Sequence, residues 1–150
     1  MAVDLDHSFP TGESVDGTFA GIVDLERVIP LVEGGKVLER TSSEQVKAEI
    51  LVSMGAMSMT FSGTVEVVER DEAAHRAVLQ VRSKEEGGNG YANADVTFAI
   101  ADPPSGGQGG QGTVHTHAQI SGKAASMGEG VVAGVLDALI NDFTGKLSTL

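Results

Sequence analysis

Six segments between residues 36 and 120 alternate apolar and polar side chains, and one long stretch after Ala124 abandons that period for a helical one. The first segment, Lys36 to Arg40, is short. In the second, Val46, Ala48, Ile50 and Val52 alternate with Lys47, Glu49, Leu51 and Ser53. In the third, Met57, Met59, Phe61, Val65 and Val67 alternate with Ser58, Thr60, Ser62, Thr64 and Glu66. Ala77, Leu79 and Val81 follow, then Ala92, Ala94, Val96, Phe98 and Ile100, then Val114, Thr116, Ala118 and Ile120. A period of two places every second side chain on one face, so each segment reads as a half-buried strand. Clean alternation further implies an antiparallel sheet with one wet face.

From Ala124 the apolar positions recur at helical spacing: Met127, Val131, Val135, Leu139, Phe143 and Leu147, with Val132, Leu136 and Ile140 beside them. This predicts one helix over residues 124–147, packed on the sheet through Val131, Val135, Leu139 and Phe143.

Residues 2–9 also alternate, with Val3, Leu5, His7 and Phe9 on one side and Asp4, Asp6 and Ser8 on the other. Pro10-Thr11-Gly12 breaks this strand, and Thr11 is placed to cap a short helix with Glu13 in its first turn. Val15, Phe19, Ile22 and Val23 form that helix's apolar side. Asp24 is placed to cap a second short helix carrying Leu25 and Val28, which Pro30 ends. Asp71-Glu72-Ala73-Ala74 reads as a hairpin turn, and the Gly/Pro/Gln stretch from Asp102 to Gly112 as a loop between strands.

A long amphipathic helix after a curved meander covers the sheet's apolar face. The fold class is therefore α+β, a helix-grip architecture. A curved antiparallel sheet of six to seven strands wraps round a long C-terminal helix, with two short helices after the first strand. All 150 residues are assigned to a single ligand-binding domain. A folded chain of 15.4 kDa exposes roughly 7,000 Å² of the roughly 22,000 Å² of its unfolded form, enough for one core. A strongly curved sheet and a straight helix cannot touch everywhere, so an apolar cavity is expected between them.

Composition removes several functions. The absence of cysteine excludes disulfides, thiol catalysis and Cys-ligated zinc. With no tryptophan and one tyrosine the chain lacks a stacking platform for bases, and a net charge of −11 repels phosphate backbones, so no nucleic acid is expected as a partner. The same sign disfavours electrostatic docking on anionic lipid. There is no apolar run long enough to span a membrane, and Met1 to Asp6 has no basic region followed by an apolar one. These features predict a cytoplasmic protein.

The glycine-rich stretches Glu86 to Gly90 and Gly106 to Gly110 precede strands instead of opening helices, so they read as a bulge and a loop and not as phosphate cradles. His115 and His117 share a face, yet the nearby sequence supplies no third ligand, and alternation turns them to solvent. His75 falls at a turn. His7 falls on the apolar face, either as a hydrogen-bonding group inside the cavity or as a satisfied histidine at the sheet margin. No Gly-x-Ser-x-Gly elbow and no inward carboxylate pair occur, so no catalytic and no metal-ligating residue is assigned. Met54, Met57, Met59 and Met127 suit either an adaptable pocket or irregular gaps in a core. The expected ligand-binding wall consists of Leu31, Met57, Met59, Phe61, Tyr91, Phe98, Met127, Val131 and Val135.

Three stretches resemble the carbon monoxide dehydrogenase G-subunit family, a branch of the START-like, Bet v 1-like (SRPBCC) helix-grip superfamily. They are Asp24-Leu25-Glu26-Arg27-Val28 with Pro30; Glu69 to Leu79 with Gly88 to Ala94 after it; and Gly122-Lys123-Ala124-Ala125-Ser126-Met127-Gly128 before the long helix. Asp16 departs from the family's aromatic in the first helix, and Ile29 to Gly34 departs from its Pro-Gly element. The resemblance implies a non-enzymatic accessory protein that serves a molybdenum-containing carbon monoxide dehydrogenase. It implies a lipophilic quinone such as menaquinone as a non-covalent ligand, and peripheral contact at the inner face of the cell membrane. The family's membrane attachment uses a tail beyond the long helix. The alternatives are a polyketide cyclase or dehydratase on the same scaffold, with His7 as its acid or base, and a pure membrane tether or assembly factor.

Overall fold

The computed structural model describes residues 1–11, 14–88, 90–102 and 110–150. Strand β1 (Ala2–Pro10) is followed by helices α1 (Val15–Val23) and α2 (Leu25–Val28) and a 3-10 turn over Ile29–Leu31. A meander comes next: β2 (Gly35–Ser42), β3 (Gln45–Met54), β4 (Met57–Asp71), β5 (Arg76–Glu85), β6 (Tyr91–Ala101) and β7 (Gln111–Ile120). A second 3-10 turn, Ala125–Met127, precedes helix α3 (Glu129–Leu147).

The seven strands form one antiparallel sheet in the order β1-β7-β6-β5-β4-β3-β2. Alternation sets its two faces as expected: Val46, Ala48 and Val52, Met59 and Phe61, Ala77 and Leu79, and Phe98 and Ile100 are all buried. The edge strand β2 carries Lys36, Glu39 and Arg40 and two register irregularities, which discourage pairing with another chain. Gly63 lies where β4 crowds β5: a Cβ there would stand 1.9 Å from the carbonyl oxygen of Arg82. Gly112 leaves room for the ring of Phe9, which occupies the space a side chain would take. The exposed surface is 7409 Å², in line with the scaling for this mass.

Two apolar clusters form the core. The larger joins Phe9, Phe19, Ile22 and Val28 to Leu79, Phe98, Phe143 and Leu147, under the short helices and the C-terminal half of α3. The smaller joins Val3, Val52, Met54, Met59 and Phe61 to Ile120, Ala124 and Val132 at the other end.

Three local expectations are corrected. Ser14, not Thr11, caps α1: its hydroxyl accepts from the Gly17 N–H at 2.9 Å. The Thr11 hydroxyl is already engaged, accepting from the N–H of Gly110, and so holds the end of β1 beside β7. Glu13 lies outside the described residues, as do Asn89 of the first glycine-rich stretch and residues 103–109, which include 106–109 of the second. The segment 124–147 is not one helix, because Gly128 at φ 98° interrupts it in a conformation that L side chains rarely adopt. The sheet-facing stripe of α3 also starts one residue later than expected: Val132, Phe143 and Leu147 are buried, whereas Val131 is 46% exposed.

Candidate functional site

Helix α3 lies closest to β1 and runs past the sheet's concave face, and between the two remains a partly open cavity of about 250 Å³. Its floor is Ala48 and Ile50 of β3, Phe61, Gly63 and Val65 of β4, Leu79 and Val81 of β5, Val96 and Phe98 of β6, and Val114 and Thr116 of β7. Its roof is Leu136, Leu139, Ile140 and Phe143 of α3, and Val28, Ile29 and Val32 close one end. Small residues on the floor explain the space. Gly63 sends no side chain into the space, its Cβ position being closed by the β5 backbone, and Ala48 presents only a methyl where a branched residue would reach further. Phe98 and Phe143 meet edge-on, ring centres 6.2 Å apart, which props roof on floor at one side.

The nine residues expected on one wall are distributed over the molecule. Phe61 and Phe98 line the cavity. Val131 and Val135 line a second, partly open groove of about 640 Å³ between α3 and β3, with Gly130, Gly134 and Ala138 opposite Leu51, Val52 and Ser53. Met59 is buried in the smaller core cluster, and Met57 and Met127 pack against it. There Val3, Ile120 and Val132 fill the space, so the methionines serve as core. Leu31 packs on the larger cluster, beside cavity residues Ile29 and Val32. Tyr91 is 40% exposed at the start of β6.

Leu139 borders both the cavity and the groove. On α3 the spacing of Gly130, Gly134 and Ala138 keeps one helix face free of large side chains, which opens the groove. Leu51 and Val131 stand exposed at its sides. Sequence reasoning missed Val28, Ile29 and Val32, whose approach depends on how the short helices fold back. It also passed over Thr116, although alternation already put a hydroxyl on the inward face of that strand.

Polar groups are few on the inner side. The His7 Nε2–H donates to Asp137 Oδ1 at 2.7 Å, joining β1 to α3. The His7 side chain is buried, and its Nδ1 has no partner among the described residues. His7 does not line the cavity, so it sits at the sheet margin. The Oγ1 of Thr116 is likewise buried without a partner.

The outer face is different. His115 Nδ1 bonds Asp6 at 2.7 Å, and His117 Nδ1 bonds Asp4 at 2.8 Å. The hydrogen bond to Asp6 raises the pKa of His115, and the charges of Asp6 and Asp4 act in the same direction. His75 bonds Asp16 and meets the Phe19 ring edge-on at 5.5 Å. Among the described residues no three His, Cys, Asp or Glu side chains converge as metal ligands, and no helix is long and apolar enough to cross a membrane.

Known structures share this architecture. A conserved protein from Geobacillus kaustophilus superposes with a TM-score of 0.84 at 22% identity, over 98% of this chain and 93% of its own. The Zhui aromatase/cyclase from Streptomyces sp. R1128 superposes with a TM-score of 0.62 at 10% identity, over 98% of this chain and 94% of its own. A truncated norcoclaurine synthase from Thalictrum flavum gives a TM-score of 0.60 at 13% identity, over 98% of this chain and 93% of its own. The fold is thus the Bet v 1-like helix grip, on which the aromatase/cyclase and the synthase are built, so the fold alone does not fix what the chain does. No curated protein matches by sequence. The profile of CoxG, the G subunit of carbon monoxide dehydrogenase, matches residues 8–150. With nearly its whole length covered by that profile, the chain belongs to the carbon monoxide dehydrogenase G-subunit (CoxG) family.

Proposed function

We propose that this protein is a non-enzymatic carrier that holds a respiratory quinone such as menaquinone between the sheet and α3. It would serve a carbon monoxide dehydrogenase-type molybdenum enzyme at the membrane. The observation that carries the reading is the cavity itself, whose wall is almost wholly apolar. Affinity for an apolar ligand comes from area removed from water, about 0.8 kcal/mol for each buried methylene. Membership in the CoxG family supports an accessory role.

The cavity, at about 250 Å³, is smaller than the roughly 300–1,000 Å³ of typical ligand pockets. It accommodates a ring and the start of an isoprenoid tail. The rest of the tail leaves past Leu139 into the groove between α3 and β3, which small residues keep open. A protein of net charge −11 gains nothing from charge at an anionic bilayer, so contact there falls to exposed Leu51 and Val131 at the groove's sides.

Native mass spectrometry of the protein purified from its own cells tests this. An isoprenoid quinone mass is expected on the wild type and should be lost from Val96→Phe, whose ring fills the cavity. Wild-type protein that carries no lipophilic mass, and takes up none from quinone-containing vesicles, would make it a tether or assembly factor instead.

A further inference from the structure

Thr116 is the fully buried polar residue of the cavity wall; Glu49, Thr64 and Ser83 also border the cavity but are only half-buried. Thr116 lies on β7 opposite Val96 of β6 and Leu5 of β1, with Val114 and Ala118 inward-facing beside it on its own strand. The residue is 5% exposed, and its Oγ1 has no hydrogen-bond partner among the described residues. Two other buried threonines are satisfied. The Thr144 hydroxyl donates to the carbonyl of Asn141 at 3.1 Å, and that of Thr11 accepts from Gly110. Thr18 also lacks a partner, but it lies on α1 and not on the cavity wall. Burying an unmet hydroxyl is unfavourable, and a valine of nearly the same shape, as at Val96 opposite, would fill the place without that cost.

We infer that Thr116 Oγ1–H, which has almost no accessible surface as the side chain stands and reaches the cavity by rotation about χ1, is the hydrogen-bond donor for an oxygen on the bound molecule, so that the cavity selects a mostly apolar ligand bearing a carbonyl over a bare hydrocarbon. This rests on the carrier reading above and adds to it a specificity-determining residue. The wall of the cavity fixes ligand size and apolar character. Thr116 fixes where along the floor the ligand's polar atom sits, at the β6–β7–β1 side. His7 Nδ1, also buried and unpartnered, lies on β1 two residues beyond Leu5, the register partner of Thr116. That side of the sheet therefore holds polar capacity that the chain itself does not use.

The test is calorimetric titration of the full chain with 2-methyl-1,4-naphthoquinone and with 2-methylnaphthalene, which has the same ring skeleton and no oxygen. Thr116→Val should weaken the quinone roughly three- to tenfold relative to the hydrocarbon, the size of one neutral hydrogen bond. Thr116→Ser, which keeps the hydroxyl, should retain quinone affinity. The melting temperature of ligand-free Thr116→Val should equal or exceed that of the wild type, because an unmet polar group has been removed. Equal weakening of both probes, or a lower melting temperature, would overturn the assignment of Thr116 and leave the carrier standing. A wild type that binds neither probe would overturn the carrier reading, and this inference with it.

Discussion

His7 and Asp137 are joined at 2.7 Å across 130 positions of sequence, tying the edge strand β1 to the middle of α3. The imidazole is buried and the carboxylate is half exposed. Asp137→Ala should therefore strand a buried N–H, partly relieved by water entering from the carboxylate's side. The expected cost is about 1–2 kcal/mol, read as a shift in urea midpoint. His7→Phe/Asp137→Ala should recover much of this loss, since no polar group then remains unmet. Additive losses would mean that the two side chains act independently.

His7→Phe alone separates carrier from enzyme. The variant should keep its lipophilic ligand, because His7 does not line the cavity. Turnover of a polyketide-like substrate that disappears with His7→Phe would establish catalysis.

Along α3, two leucines should respond differently. Leu147 is fully buried in the larger cluster, so Leu147→Ala should cost about 2–5 kcal/mol in chemical denaturation. Leu139 borders space that is already empty on two sides, so Leu139→Ala should cost no more than about 2 kcal/mol. It should also widen the passage from cavity to groove and improve binding of longer-tailed quinone analogues. Equal losses at both positions would show that Leu139 is fully packed.

The outer face should sense pH through His115. Its folded pKa is raised, first by the hydrogen bond to Asp6 and then by the charges of Asp6 and Asp4. A raised histidine pKa means that the proton stabilises the fold. That contribution is complete below about pH 6.5, the unfolded value, and is lost as pH rises through the folded value. Asp6→Asn should lower the His115 pKa in an NMR titration. The stability difference between wild type and variant should be largest below about pH 6.5 and shrink in alkaline buffer. A His115 titration unchanged by Asp6→Asn would refute the pairing.

The strands were legible because a half-buried sheet writes its period into the residues, as in Val46, Ala48 and Val52, which are all buried. Helix α3 was less legible in rotation. Val131 and Val132, Val135 and Leu136, and Leu139 and Ile140 are adjacent apolar pairs, so either of two stripes could face the sheet. Phe143 and Leu147 are buried as the helical spacing places them, but at the start of the helix it is Val132 and not Val131 that is buried. Alternation also told which side Met57 and Met59 face, but not how far along the sheet the helix leaves a gap. The gap lies toward Gly63 and Val96, away from the methionine end, where Val132 and Ala124 pack closely. The contribution of Val28, Ile29 and Val32 depends on the path of the chain between α2 and β2, which no local pattern encodes.

The pairing of β1 with β7 bears on how the chain reaches this structure. Ala2 lies opposite Gln119 and Pro10 opposite Gln111, so β1 meets its strand partner after about a hundred intervening residues. The hairpins from β2 to β7 can zip in sequence as each strand emerges during synthesis. The first strand must wait, with Val3, Leu5 and Phe9 unburied, until β7 has been made. Contact order of this kind slows folding and lengthens exposure to aggregation. The acidic residues Asp4 and Asp6, interleaved with those apolar ones, are suited to keep the waiting strand soluble before they become the partners of His117 and His115.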